Sequence, residues 1–354
     1  MGDEKRRILP GEACPLPLLD HQQIVLGHGS GGKLTQDLVE KLFLPNFSNS
    51  YLAQLDDQAV LDFNGSRLAF TTDSFVVTPI FFPGGDIGRL AINGTVNDLA
   101  MCGATPRFIS AAFILEEGLA VADLVRVVES MRQAAQDAGV LLVTGDTKVV
   151  DRGKGDQVFI TTTGLGILER PVKISADQAR PGDRILLSGT IGDHGMAILS
   201  RREGLEFEGP IESDTAALHT LVAAMLDASE QIHCLRDATR GGVATVLNEI
   251  ASRSQAGMEL DGRSVPVRES VKGACEILGL DPLYVANEGK LVAIVAADAS
   301  DAVLDRMRRH PLGRDACCIG EVVAAHPRRV LVKTEIGGTR VLDVMLGEPL
   351  PRIC

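Results

Sequence analysis

Six acidic residues stand among small residues at the ends of apolar runs: Asp57 in LDDQAV, Asp73 in FTTDSF, Asp98 in NGTVNDLAMCG, Asp146 in VTGDTKVV, Asp237 in LRDATRGG and Glu288 in VANEGKLV. Taken singly, each reads as a turn residue or a helix cap. Together they describe a cleft. Carboxylates that converge repel one another unless cations neutralise them, and hard oxygen ligands that leave room for phosphate are what Mg²⁺ takes. Basic residues follow closely. Lys148 lies two positions after Asp146, on the same face if the chain is extended; Arg240 follows Asp237, and Lys290 follows Glu288. The plain alternative is exposed ion pairing of little energetic worth. His194, in SGTIGDHG, opens a predicted helix with Asp193 as its cap, a position that serves structure as readily as catalysis.

Residues 27–33, GHGSGGK, fit two phosphate-binding patterns by letter, GxGxxG and GxxxxGK. Neither fits in context, because Leu34 stands where the second needs Ser or Thr and only Ile24, Val25 and Leu26 precede the glycines as a strand. A flexible lid whose backbone N–H groups and Lys33 close over phosphates is the better reading, with a Gly-rich linker as the bland one. The chain ends PRIC, so Cys354 places a thiol on its last residue. The segment GEPLPRIC spans on the order of 25 Å when extended, and Pro349 and Pro351 oppose helix. The cysteine is not fourth from the end, so this is no prenylation signal. A carrier thiol and an incidental surface cysteine are both compatible with its position.

These groups must be held by something. The chain has 354 residues, 45% of them hydrophobic, enough for two domains and a large core. Aromatics are 4% with no Trp, and Gly numbers 37, so the core is aliphatic and the loops Gly-rich. With 35 basic and 47 acidic residues the formal charge is −12, which argues against phosphate-mediated nucleic-acid binding. Seven cysteines without regular spacing, and no secretory or membrane stretch, predict a soluble cytoplasmic protein with reduced thiols. RLAFTTDS, FISAAFIL, VLLVTGD and QVFITTTGLGIL read as strands. Ile87, Leu90, Ala91 and Leu99 share a helical face before Gly103; Leu124, Val127, Val128, Met131 and Ala135 form another, ended by Gly139. A turn cluster, Ala179 to Asp183, precedes a second round: strand RILLSG, helices from His194 and Ser213, helix GGVATVLNEIAS, strand LVAIVAA, helix ASDAVLDRMRR, and strands near CIGEVV and RVLVK. The expected organisation is α+β: a lead at 1–23, an N-terminal domain at 24–175, a C-terminal domain at 176–345 and a mobile tail at 346–354.

GHGSGG, TTDSFVVTPIFFPGGDIG, NGTVNDLAMCGA, TGDTKVV, SGTIGDHG, RDATRGG, ANEGKLV and PRIC together resemble the HypE family of hydrogenase maturation factors. That family lies within the wider group of aminoimidazole ribonucleotide synthetase and selenophosphate synthetase, and the likeness runs from about Gly27 to Cys354. It implies a two-domain PurM-like fold whose N-terminal sheet joins that of a homodimer mate in a barrel-like arrangement. It also implies a reaction: the carbamoyltransferase HypF loads Cys354 with a carbamoyl group, ATP dehydrates it to a thiocyanate, and the cyanide passes to iron on the HypC–HypD complex for [NiFe] hydrogenase. By the family's motifs, Asp57, Asp73, Asp98 and Asp237 form the Mg²⁺ and phosphate shell, with Asp146 and Lys33 also on the ATP side. Lys148 would stabilise charge on the carbamoyl oxygen or γ-phosphate, Glu288 would be the base, and His194 its reserve.

Two other readings stand beside this one. The chain resembles selenophosphate synthetases and thiamine-monophosphate kinases in fold, but the former carry a reactive Cys or selenocysteine in the Gly loop, where this chain has Ser30. A non-catalytic maturation scaffold is the second. ATP turnover that depends on prior carbamoylation separates them.

Overall fold

The computed structural model of the chain describes residues 23–47, 49–205, 209–334 and 336–345. Nearly all of the expected lead, and the whole tail with Cys354, lie outside the described residues. The described chain begins with the Gly-rich segment and a helical stretch made of α1 (Lys33–Leu38), a π turn (Val39–Phe43) and α2 (Leu44–Phe47). Then come β1 (Ala59–Phe63), β2 (Ser66–Phe75), a short hairpin of β3 (Phe81–Phe82) and β4 (Gly85–Asp86), α3 (Ile87–Met101), β5 (Thr105–Glu116), α4 (Val121–Ala138), β6 (Leu141–Val150) and β7 (Val158–Leu168).

The long strands form one sheet in the order β1-β2-β7-β5-β6, antiparallel except for β5 and β6. Along β7 buried and half-buried residues alternate, the signature of a strand with one face on the core. That face meets α3, which is capped by Asp86 through Oδ1 accepting from Gly88 N (2.7 Å) and Arg89 N (3.1 Å). All of α3 is buried except Arg89 and Asp98. α4 covers its other side and stops at Gly139, whose φ of 68° is the left-handed conformation that ends a helix. β6 is different: it is the outer strand, and nine of its ten residues are exposed.

The second half contributes β8 (Arg184–Leu187), α5 (Asp193–Glu203), α6 (His219–Ala228), β9 (Ile232–Asp237), α7 (Gly242–Ser254), β10 (Gly257–Asp261), α8 (Glu269–Leu278), β11 (Leu291–Val295), α9 (Ala297–Arg309), β12 (Cys317–Val323), β13 (Val330–Lys333) and β14 (Thr339–Leu342). Its seven-stranded sheet has the order β14-β13-β10-β12-β8-β11-β9. The α+β architecture is therefore as expected, with one correction of detail. No helix begins at Ser213. The chain from 211 to 218 has no regular structure and α6 starts at His219, because Ser213, Asp214 and Thr215 bond to other parts of the molecule instead of capping their own helix. Asp193 is likewise the first residue of α5 rather than its cap, which is Gly192 at φ 84°.

The halves share a core. Phe75, Ile87, Ile92 and Ile160 pack in one cluster with Met196, Ile198, Val271 and Val285 from the second half. Ala100 and Met101, at the end of α3, enter another cluster with Leu218, Leu221 and Leu291. No helix among the described residues is long and apolar enough to cross a membrane.

Candidate active site

Four of the predicted acids and Glu288 meet where the halves join. Asp57 precedes β1, Asp73 lies on β2, Asp98 is a half-buried residue of α3, Asp237 ends β9, and Glu288 stands just before β11. Asp73, Asp98, Asp237 and Glu288 line one small cavity with Gly94, Thr239 and Arg240. Asp237, Thr239 and Arg240 also line a larger cleft of about 570 Å³, together with Gly29, Gly31, Asp56, Asp57, Arg236 and Glu249. The two spaces therefore adjoin through the DATRGG loop.

The local bonds are specific. Thr71 Oγ1 contacts both Asp98 Oδ2 (2.7 Å) and the Asp57 carbonyl oxygen (2.9 Å). Burial raises the proton affinity of the Asp73 carboxyl, with Asp98, Arg240 and Thr95 beside it pulling the other way. Arg236 donates to Asp57 Oδ1 and to Leu55 O (2.8 Å) and lies 3.7 Å from Asp56 Oδ1. Asp56 in turn accepts from Ser175 Oγ (2.7 Å). Asn287 holds the Glu288 loop to the DATRGG loop through Ala238, with Asn287 N and Nδ2 donating to its carbonyl at 3.0 and 2.8 Å. Arg240 Nη1 reaches Gly29 O at 3.4 Å, and a Cβ on Gly31 (φ 77°) would lie 2.9 Å from the Arg240 carbonyl oxygen. Glycine there lets the two loops touch.

Crowding sets the electrostatics. Burial, and then the neighbouring Asp73, Asp237 and Asp57, hold the Asp98 carboxyl well above the usual carboxylate range. Burial and the charges of Asp57 and Asp73 do the same to Asp237; burial, Asp237 and Asp214 do so to Glu288, against the pull of Arg240. Asp57 is also raised by burial, with Arg236 opposing. Glu249 rises to about 7, chiefly through burial. Two carboxylate oxygens, Asp57 Oδ2 and Glu288 Oε1, are buried without a hydrogen-bond partner. Unpartnered buried carboxylate oxygens within a cluster of acids fit a cation that arrives with its ligand. Among the described residues no three His, Cys, Asp or Glu side chains form a ready-made metal cage.

The structure does not bring the remaining predicted residues to this cluster within one chain. Asp146 and Lys148 pair with each other at 3.0 Å on β6, with side chains 64% and 70% exposed. They share one face, as their spacing predicts, but it is the face of an outer strand. His194 is fully buried, bonded through Nδ1 to Ser213 Oγ (2.8 Å) and edge-on to Phe82, and it lines neither cavity. The Lys33 ammonium rests on Asp37 instead of pointing into the cleft. Its backbone N–H, however, donates to Met345 O at 3.1 Å, so the Gly-rich segment abuts the last described residue of the chain. Asp56, Arg236 and Glu249 were not anticipated from sequence; only the doubled acid in LDDQAV hinted at the first.

The chain matches the N-terminal domain of the AIR synthase related protein family over residues 55–168 and the C-terminal domain of that family over residues 180–333. It is 57% identical over 336 residues to the carbamoyl dehydratase HypE of Azotobacter vinelandii, covering 95% of this chain and 98% of that protein. Its structure is similar to that of HypE in a crystal structure of the HypE–HypF complex, with a TM-score of 0.83 and 49% identity over 87% of this chain and 99% of the other. It is also similar to HypE solved in complex with ATP, with a TM-score of 0.79 and 51% identity over 94% and 100% of the two chains.

Proposed function

The chain belongs to the AIR synthase related family and, within it, to the carbamoyl dehydratases of the HypE group; from that premise we propose that it uses ATP to dehydrate a carbamoyl group on Cys354 to a thiocyanate. The observation that carries the reading is the arrangement of the site. A cleft large enough for a nucleotide opens onto a cavity of proton-rich carboxyls with an unpartnered Glu288 oxygen. The root of the C-terminal segment lies at its edge, with Asp343 and Val344 in the lining and Met345 held by Lys33. Nine residues remain from there to Cys354, a reach on the order of 30 Å when extended.

The chemistry needs what these residues provide. A carbamoyl oxygen leaves poorly as hydroxide. Transfer of the γ-phosphoryl of ATP to that oxygen releases ADP and makes phosphate the leaving group; breaking the C–O bond and removing both N–H protons then gives S–C≡N. Asp57, Asp73, Asp98 and Asp237 would hold Mg²⁺, which supplies charge neutralisation to the phosphates. Glu288 accepts a proton as the nitrile forms, and burial beside Asp237 and Asp214 raises its proton affinity. Arg240, between the two cavities, is placed to meet phosphate oxygens.

Within this reading the loading partner is HypF, and the cyanide goes to the HypC–HypD complex in the cytoplasm. A homodimer is part of it. β6 leaves a long apolar edge, with Leu141, Val143 and Val149 each more than half exposed, and pairing that edge with a second copy satisfies its backbone. Such pairing is also the route by which Asp146 and Lys148 would approach a cleft. The test is the intact mass of the C-terminal peptide after incubation with HypF, carbamoyl phosphate and ATP. Carbamoylation followed by loss of one water on Cys354 is expected; the adduct on Cys102, Cys234, Cys275, Cys317 or Cys318 would overturn the proposal.

A further inference from the structure

The segment 213–218 has no regular structure, yet its residues are buried or half-buried, and it is bonded to both halves of the molecule. On the first half, Ser213 N donates to Pro83 O (2.8 Å), Asn93 Nδ2 to Thr215 Oγ1 (3.3 Å), Asn97 Nδ2 to Ala216 O (3.0 Å), and Leu218 N to Asn97 Oδ1 (2.7 Å). On the second half it grips the Glu288 peptide. Asp214 Oδ1 accepts from Glu288 N (3.0 Å), and Ala216 N donates to Glu288 O (3.3 Å). The other Asp214 oxygen accepts from Lys290 Nζ (3.0 Å), an ion pair whose side chains are 3% and 13% exposed. Contact is so close that a Cβ on Gly289 would fall 1.9 Å from the Asp214 carbonyl oxygen.

Glu288 is thus held by its backbone, through a segment whose far side is anchored to Asn97, the residue next to Asp98. Its own Oε1 has no hydrogen-bond partner. We infer that the segment 213–218 is the positioning element of Glu288, with Asp214 and Lys290 as its clamp, and that it sets the base in register with the acid-bearing helix. Asp214 is a positioning residue; it lines neither cavity. The inference rests on Glu288 acting as the base.

The experiment follows a single turnover of dehydration on the carbamoylated protein with Mg-ATP, in the parent, Asp214→Asn, Glu288→Gln and the double variant. Asn keeps shape and turns an amide N–H toward Lys290, so the clamp opens. A displacement of the base by even 1 Å slows reaction by about tenfold to a hundredfold. That slowing is expected with the ATP half-saturation unchanged. Because Asp214 acts through Glu288, the double variant should match Glu288→Gln within about twofold. If Asp214→Asn folds poorly, the paired change Asp214→Leu with Lys290→Met removes both buried charges together, leaves neither unpaired, and should show the same slowing. An Asp214 effect that persists in full beside Glu288→Gln, or that moves ATP half-saturation instead of rate, overturns the inference and leaves the base assignment standing. Unimpaired dehydration by Glu288→Gln removes Glu288 from the chemistry and the clamp's role with it.

Discussion

Replacing Arg236 by Met removes one cation from the join between the halves while keeping the length of the side chain. The Arg236 side chain is 6% exposed and faces Asp57, Asp56 and the carbonyl of Leu55. Breaking a buried pair by deleting one partner costs about 3–5 kcal/mol, because the other charge stays desolvated. The pH dependence of that cost identifies its origin. Burial already raises the proton affinity of Asp57 and Arg236 pulls it back, so Met lets it rise further. A carboxyl whose folded pKa lies above its unfolded value of about 3.9 binds a proton in the native state that the unfolded chain has released. Its contribution to stability therefore falls as pH rises from the unfolded value through the folded one. The penalty of Arg236→Met should be least below about pH 4, where Asp57 is protonated in both states, and complete above the raised value. Urea unfolding of parent and variant, without nucleotide, at about pH 4.5 and about pH 8 measures it. A difference under about 1 kcal/mol at the higher pH, or one that does not change between the two, would refute the reasoning.

Two further outcomes follow from the same structure. Asp98→Asn mimics the protonated carboxyl and keeps an acceptor for Thr71, so it should stabilise the nucleotide-free protein at about pH 8 and not near pH 4, where the parent residue is itself protonated. The same variant should weaken Mg-ATP binding in calorimetry, and unchanged affinity would place the metal elsewhere. Val143→Glu puts a charge on the exposed edge of β6 and should convert the dimer to monomer in light scattering at micromolar concentration; a parent protein that is itself monomeric would refute the pairing.

The elements that carry the site were legible where the pattern is local. The face of Leu124, Val127, Met131 and Ala135 with Gly139 behind it marked α4, and the β-rich runs around Asp73 and Asp237 marked the strands that present them. What the sequence hid is long-range. Arg236 meets Asp57 across 179 positions and Lys290 meets Asp214 across 76, and no local period encodes either pairing. The stretch after Ser213 has the letters of a capped helix, yet bonds to Pro83, Asn97 and Glu288 take the groups a cap would use. His194, the reserve base by resemblance, is buried edge-on to Phe82 and lines neither cavity, a placement no local pattern encodes.

α3 gives one end to each of two cores, and its middle carries Asn97 and Asp98. A cut between residues 168 and 180, where the two family domains divide, would strip solvent-excluded surface from both products. Neither half is a separable module, and the molecule should melt as one cooperative body. Relative movement of the halves would have to disturb that common interior. The bond from Lys33 N to Met345 O ties the Gly-rich segment, and with it one wall of the cleft, to the last described residue of the chain.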